Sequence, residues 1–188
     1  AIELDPKDQW AIANRGLTYQ SMERYEEALQ DLNQAIELDP KYSLNIASRG
    51  ATYVLMERYE EALQDLNQAI ALDSKFSLAI ALRGHVYKTL RQYDKALQDF
   101  NQAVGIDPKD ELPIRKRGEI YLMLGCYHEA LFDFNQAIQL EPESDWDLYF
   151  RALAYKVLNQ LDNAKADLEQ AIQLAQKDYN EKPEDHQN

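Results

Sequence analysis

Apolar positions along this chain fall at helical spacing, and the whole pattern then starts again. Within residues 43–76, Ile46, Gly50 and Tyr53 stand at i, i+4 and i+7, one face of an α-helix. Tyr59, Ala62, Leu66, Ala69 and Ile70 keep the same kind of spacing and predict a second helix. Met56-Glu57-Arg58 between them leaves room only for a tight helix–helix turn. The pattern returns every thirty-four residues: Gly16, Gly50, Gly84 and Gly118 keep that step, each followed three residues later by Tyr19, Tyr53, Tyr87 and Tyr121. Ala28, Ala62, Ala96, Ala130 and Ala164 keep it too, as do Ala35, Ala69, Ala103, Ala137 and Ala171. A fixed period of this size predicts stacked helical hairpins, each covering an apolar face of its neighbour, rather than a globule with one closed core.

Punctuation supports the hairpins. Pro40, Pro108 and Pro142 follow the second helix and stop it, with Asp39 and Asp107 where a helix ends. Ser74 and Gln176 stand where the other prolines would, and after Gln176 the last helix is expected to run on by a turn or so. Glycine inside a helix costs ~1 kcal/mol relative to alanine. Four glycines at one phase therefore predict a place where two helix backbones approach closely, with the recurring alanines as the matching smooth patches. The units run 9–42, 43–76, 77–110, 111–144 and 145–178. Residues 1–8 read as the end of a truncated repeat, because Ala1 to Pro6 copy Ala35 to Pro40, which suggests a fragment of something longer. Residues 179–188 read as a tail or the start of a following module.

The run Tyr53-Val54-Leu55-Met56-Glu57-Arg58-Tyr59-Glu60-Glu61-Ala62, followed by Ala69-Ile70 and, in other units, an acid–Pro ending, resembles the tetratricopeptide repeat. That motif's glycine, two tyrosines, two alanines and proline all have counterparts here, over five units from residue 9 to 178. The last unit departs most, with Ala152, Leu161 and Gln176 for the glycine, second tyrosine and proline. Residues 22–36 and 56–70 are identical, as after a duplication. The resemblance implies an all-α fold, an α-solenoid of antiparallel hairpins wound as a right-handed superhelix, with first helices lining a concave groove. It also implies a non-catalytic protein–protein interaction scaffold that binds a peptide or partner segment there.

A charged pair accompanies every unit. Arg15, Arg49, Arg83, Arg117 and Arg151 precede the glycine phase, and Asp31, Asp65, Asp99, Asp133 and Asp167 follow them by sixteen residues. Two readings are open: a ladder of ligand-binding arginines, or internal braces. The invariant pairing favours braces, since a guanidinium fork meets a carboxylate with two hydrogen bonds.

On the first helices a second stripe lies away from the core: Trp10, Ala13, Leu17; Leu44, Ala47, Ala51, Val54; Leu78, Ala81, His85, Lys88; Arg115, Glu119, Leu122; Tyr149, Lys156. It is apolar in the first two units and gains cations from His85 onward, so a partner with an apolar part and an acidic part is expected in it. The plainer alternative is small residues lining a groove with solvated lysines. Chaperone-tail binders of this fold use a Lys/Asn carboxylate clamp, and Ala13, Leu17, Ala47 and Ala51 occupy its positions. A C-terminal chaperone peptide is therefore not the expected ligand.

Composition narrows the partners. Of 188 residues, Asp and Glu number 33 against 20 Lys and Arg, a net charge of −13, which disfavours nucleic acid and anionic membranes. The single cysteine, Cys126, allows no disulfide within the chain and fits a reducing, cytoplasmic compartment. No apolar run approaches the ~20 residues of a membrane span. The three histidines, His85, His128 and His186, make no metal set, His128-Glu129 lacks the second histidine of a zinc motif, and Cys126 with His128 is a C-x-H in a turn. No phosphate loop or nucleophile elbow appears, so no cofactor and no catalysis are expected. Two further roles remain open. Copies could stack end to end as a self-assembling module or homo-oligomer through exposed array ends. The Arg-Gly and Asp-x-Asn-Gln-Ala-Ile phrasing is also similar to sensor segments of bacterial multidomain signalling proteins, including nucleotide-switch regulators.

Overall fold

The computed structural model describes residues 8–181, and among these it contains ten α-helices and no strand. The first helices of the hairpins are α1 (Gln9–Ser21), α3 (Ser43–Leu55), α5 (Ser77–Thr89), α7 (Glu111–Met123) and α9 (Asp145–Val157). The second helices are α2 (Tyr25–Leu38), α4 (Tyr59–Leu72), α6 (Tyr93–Ile106), α8 (Tyr127–Leu140) and α10 (Leu161–Glu181). The partial repeat expected at 1–8 lies outside the described residues except for Asp8, and so does the tail expected at 179–188 from residue 182 onward.

Each first helix ends in the same tight turn. At α3 the Arg58 N–H bonds the Tyr53 carbonyl at 2.8 Å and the Glu57 N–H the Val54 carbonyl at 3.0 Å, the paired bonds of a Schellman motif. That motif needs a left-handed residue, which is Gly125 at φ 78° in one hairpin but Glu23, Glu57, Arg91 and Asn159 at φ 58° in the others. Second helices before α10 stop at an acidic residue, which after α8 is Glu141. Asp39 and Asp73 follow α2 and α4, and their Oδ1 atoms accept from the Lys41 and Lys75 N–H groups at 3.1 and 3.0 Å. Asp73 makes this turn although Ser74 follows it, so the carboxylate stops the helix where proline is missing. At the equivalent phase α10 carries Ala175 and Gln176, and it runs on to Glu181.

The glycine phase is sterically required, although the neighbour differs from the expected backbone. A Cβ at Gly50 would lie 3.1 Å from Leu66 Cγ and 3.3 Å from Asp65 Cβ. At Gly84 it would meet Phe100 Cε1 at 3.0 Å and Asp99 Cβ at 3.1 Å. At Gly16 a backbone atom is among the nearest three, the Ala28 carbonyl oxygen at 3.3 Å. Side chains of the second helix thus press on the glycine, with the alanines packed beside them.

The chain divides into two compact units, Ala1–Gln102 and Ala103–Asn188, the division falling within α6. In the first unit α1 pairs with α2 and α3 with α4, and α2 seats α3 as α4 seats α5. Ile46, Ala47, Ala62, Leu66, Ala69, Ala79 and Val86 form its central cluster, flanked by Ile36 and Ile70. In the second unit α7 pairs with α8 and α9 with α10, and α8 seats α9. There Phe134 is fully buried and stacks on Phe150 with ring centroids 5.8 Å apart. Within the first unit α1 touches α3 and α3 touches α5, while α2 and α4 do not meet, so first helices form the inner side. In the second unit α7 touches α9 in the same way, and α8 and α10 do not meet.

Candidate functional site

The charged pairs are internal braces in all five hairpins. Arg15 Nε and Nη2 donate to Asp31 Oδ2 and Oδ1 at 2.6 and 2.7 Å. Arg49 meets Asp65 at 2.7 and 2.8 Å, Arg83 meets Asp99 at 2.9 and 2.7 Å, Arg117 meets Asp133 at 2.8 and 2.6 Å, and Arg151 meets Asp167 at 2.8 and 2.7 Å. Every one of these aspartates is buried. The hydrogen bond to its aspartate holds each arginine above its ordinary pKa. Burial lifts the Asp133 carboxyl above its usual value, and Arg117 only partly offsets it.

The third guanidinium nitrogen reaches the preceding hairpin. Arg49 Nη1 donates to Asn33 Oδ1 at 2.7 Å, Arg83 Nη1 to Asn67 at 2.7 Å, and Arg151 Nη1 to Asn135 at 2.8 Å. Each of these three arginines therefore closes its own hairpin with a charge pair and docks it with a neutral acceptor. The asparagine step of thirty-four residues was present in the sequence but was not assigned to the arginines.

Along the inner side, the stripe residues divide by burial. Trp10, Leu17, Leu78, Tyr149 and Lys156 are exposed, and Leu44, Ala51, Val54, His85, Lys88, Arg115 and Leu122 are partly buried. Ala13, Ala47, Ala81 and Glu119 are buried. Ala13 packs with Ile12 and Ala35, and Ala47 belongs to the central cluster of the first unit. These alanines serve helix contact. The first unit's inner side carries no Asp or Glu in the stripe. It also holds a polar link, Gln20 Nε2 donating to the fully buried Thr52 at 2.9 Å.

In the second unit Arg115 and the adjacent Lys116 are engaged, whereas Lys156 of the stripe is exposed. Arg115 Nε donates to Asp147 Oδ1 at 2.7 Å and its Nη2 to Glu111 Oε1 at 3.0 Å. Burial opposes the Arg115 charge, but Asp147, Glu111 and Glu119 outweigh it and raise its pKa. Lys116 donates to Glu119 at 2.8 Å. The Arg115–Asp147 separation of thirty-two residues lies off the repeat step, so periodicity carried no sign of it.

Among the described residues no group of three or more His, Cys, Asp or Glu is placed to hold a metal, and no helix is long and apolar enough to cross a membrane. His128 is exposed and Cys126 partly buried at the turn before α8.

Family models described as tetratricopeptide repeat match residues 10–42, 82–149, and 47–76 with 148–178. No curated protein matches the sequence. Among solved structures, PilF of Pseudomonas aeruginosa superposes with a TM-score of 0.83 at 18% identity, over 88% of this chain and 75% of that one. MamA of Desulfovibrio magneticus gives 0.79 at 17% identity, over 93% and 97% of the two chains. YrrB, described as a TPR protein with an unusual peptide-binding site, gives 0.70 at 24% identity, over 92% and 89%.

Proposed function

The chain belongs to the tetratricopeptide repeat family, and from that premise we propose that it is a non-catalytic scaffold binding a partner protein's segment along the inner side of α1, α3 and α5. The observation that carries the reading is the character of that side. Trp10, Leu17 and Leu78 are exposed beside half-buried Leu44, Ala51 and Val54, with the arginines turned to their aspartates. A large apolar side chain in water stabilises a complex when a partner covers it, by ~25 cal/mol per Å² buried. The segment it takes is apolar in its anchoring residues. An acidic half finds less support, because Arg115 and Lys116 already hold carboxylates.

Selection from a displayed peptide library tests this. Enriched peptides are expected to carry apolar anchors and to lose binding to Leu17→Glu and Leu78→Glu variants with unchanged circular dichroism. Peptides enriched through acidic residues alone, or binding indifferent to both substitutions, would refute the reading.

A second reading, copies of the chain joining end to end, is favoured by one observation. Leu168, Ile172 and Tyr179 leave an exposed apolar stripe on α10 next to exposed Trp146. Ile172 is 56% exposed, whereas Ile36 and Ile70 at its phase are packed against the following hairpin. Sedimentation over a wide concentration range separates the readings: a monomer throughout would remove the second and leave the first.

A further inference from the structure

The turn of the fourth hairpin keeps two parts of a charged cluster and replaces the third. At the α1–α2 turn, Arg24 lies 4.5 Å from the centre of the Tyr19 ring, and its Nε and Nη2 donate to Glu27 Oε1 at 3.0 and 2.7 Å. At the α3–α4 turn, Arg58 lies 4.7 Å from the centre of the Tyr53 ring and meets Glu61 Oε1 at 2.9 and 2.7 Å. Each guanidinium is held by an aromatic face and a carboxylate three residues further along. In the fourth hairpin Tyr121 supplies the ring and Glu129 the carboxylate, but Cys126 stands in the arginine's place. Among the described residues Glu129 makes no ion pair or hydrogen bond, and no cation lies over the Tyr121 ring. The remaining hairpins differ again: the third sets its own Lys95 over Tyr87 at 5.1 Å, and the fifth has Asn163 at the glutamate's phase.

A cleft of about 460 Å³ opens at this place, lined by Arg117, Tyr121, His128, Glu129, Phe132 and Asp133. Phe132 is 61% exposed, where the first three hairpins carry Gln30, Gln64 and Gln98. It stands three residues from Glu129 and four from His128, so all three share one face of α8. His128 in turn replaces Glu26, Glu60 and Asp94 of the earlier hairpins. Arg117 is committed to Asp133 through two hydrogen bonds. With histidine counted as neutral, the charge left unmatched in the cleft is that of Glu129.

We propose that this cleft binds an arginine side chain of a partner protein, its guanidinium set over Tyr121 and paired with Glu129 as Arg24 and Arg58 are with their own ring and carboxylate, with Phe132 adding apolar cover. A guanidinium suits the place better than an ammonium, because its planar fork stacks on a ring and offers a carboxylate two donors. A purely apolar occupant would cover the Glu129 charge without pairing it, which is costly. The net charge of −13 draws a cationic segment towards the chain. None of the lining residues belongs to the inner stripe, so this site stands or falls independently of the groove.

The test is an NMR titration of the whole chain with three probes: N-acetylargininamide, N-acetyllysinamide and N-acetylleucinamide. Argininamide is expected to give saturable shifts confined to the surroundings of Tyr121, Glu129 and Phe132, and to bind at least threefold or so more tightly than lysinamide. Leucinamide should leave these signals in place. Glu129→Gln and Phe132→Gln should each weaken argininamide by about three- to tenfold. Cys126→Arg supplies the guanidinium from within, as the first two hairpins do, so it should abolish the response with a melting temperature at or above that of the wild type. Argininamide shifts that are absent or spread over the acidic surface would overturn the proposal. So would leucinamide or lysinamide binding as tightly as argininamide, or a folded Cys126→Arg variant that responds like the wild type.

Discussion

Asp99→Ala should lower the melting temperature far more than a surface substitution. Asp99 is 2% exposed and accepts two hydrogen bonds from Arg83. Removing it leaves a guanidinium that cannot give up its charge, in a site where only 19% of the side chain meets water. Breaking such a pair from one side costs about 3–5 kcal/mol. Arg83 keeps its bond to Asn67 and some solvent, which places the cost near the lower end. Alanine's better helix propensity within α6 returns about 0.5 kcal/mol. The net loss is about 2.5–3 kcal/mol, or roughly 5–12 °C for a chain of this length. Calorimetry gives the shift, and amide exchange should show the loss of protection concentrated in α5 and α6. The control is the cycle with Arg83→Ala: because that change removes the stranded charge, the double variant should recover about 2 kcal/mol relative to additivity. A melting temperature within a degree or so of wild type, or strict additivity in the cycle, would show that these carboxylates are solvated rather than built into the packing.

Other outcomes follow from the same geometry. Gly84→Ala pushes a methyl to 3.0 Å from Phe100 and 3.1 Å from Asp99, so it should destabilise by about 1–3 kcal/mol despite the better helix former. Gly105→Ala, in α6 with nothing within 4 Å of the new methyl, should stabilise by about 0.5–1 kcal/mol, and paired urea curves would show the opposite signs. Glu57→Gly relieves a left-handed backbone at φ 58° and should raise stability by about 1 kcal/mol or less. A loss there would mean that the glutamate side chain matters more than its backbone. Asn67→Ala removes the acceptor of Arg83 Nη1 and should cost about 1–2 kcal/mol while leaving the Arg83–Asp99 bonds in place, a separation that amide exchange across α4 and α5 would resolve.

Much of this was legible in the sequence because repetition averages away local noise. The hairpins, the glycine phase and the five Arg–Asp braces each recur at a fixed step, and a contact made five times leaves five copies of its signature. What was missed is what does not recur or does not face one way. Asp147 sits where the other units have Ala11, Asn45, Ala79 and Pro113, so its bond to Arg115 had no periodic trace. Ala13, Ala47 and Ala81 were placed on the groove by helical spacing, which cannot tell a lining position from one buried against a neighbouring helix. The helix stop was ascribed to proline, whereas Asp73 ends α4 without one and Ala175, in its place, lets α10 continue.

The braces also bear on how such a chain changes length. Among the junctions described within each unit, a hairpin is held to the one before it by arginine and a neutral asparagine, while ion and counter-ion stay inside a single hairpin. A hairpin gained or lost by recombination at those seams leaves no unmatched charge behind, so the number of repeats can drift without compensating changes elsewhere. The fourth and fifth hairpins are the exception. Arg115 and the fully buried Asp147 lie on opposite sides of their seam, and these two can be inherited only as a couple.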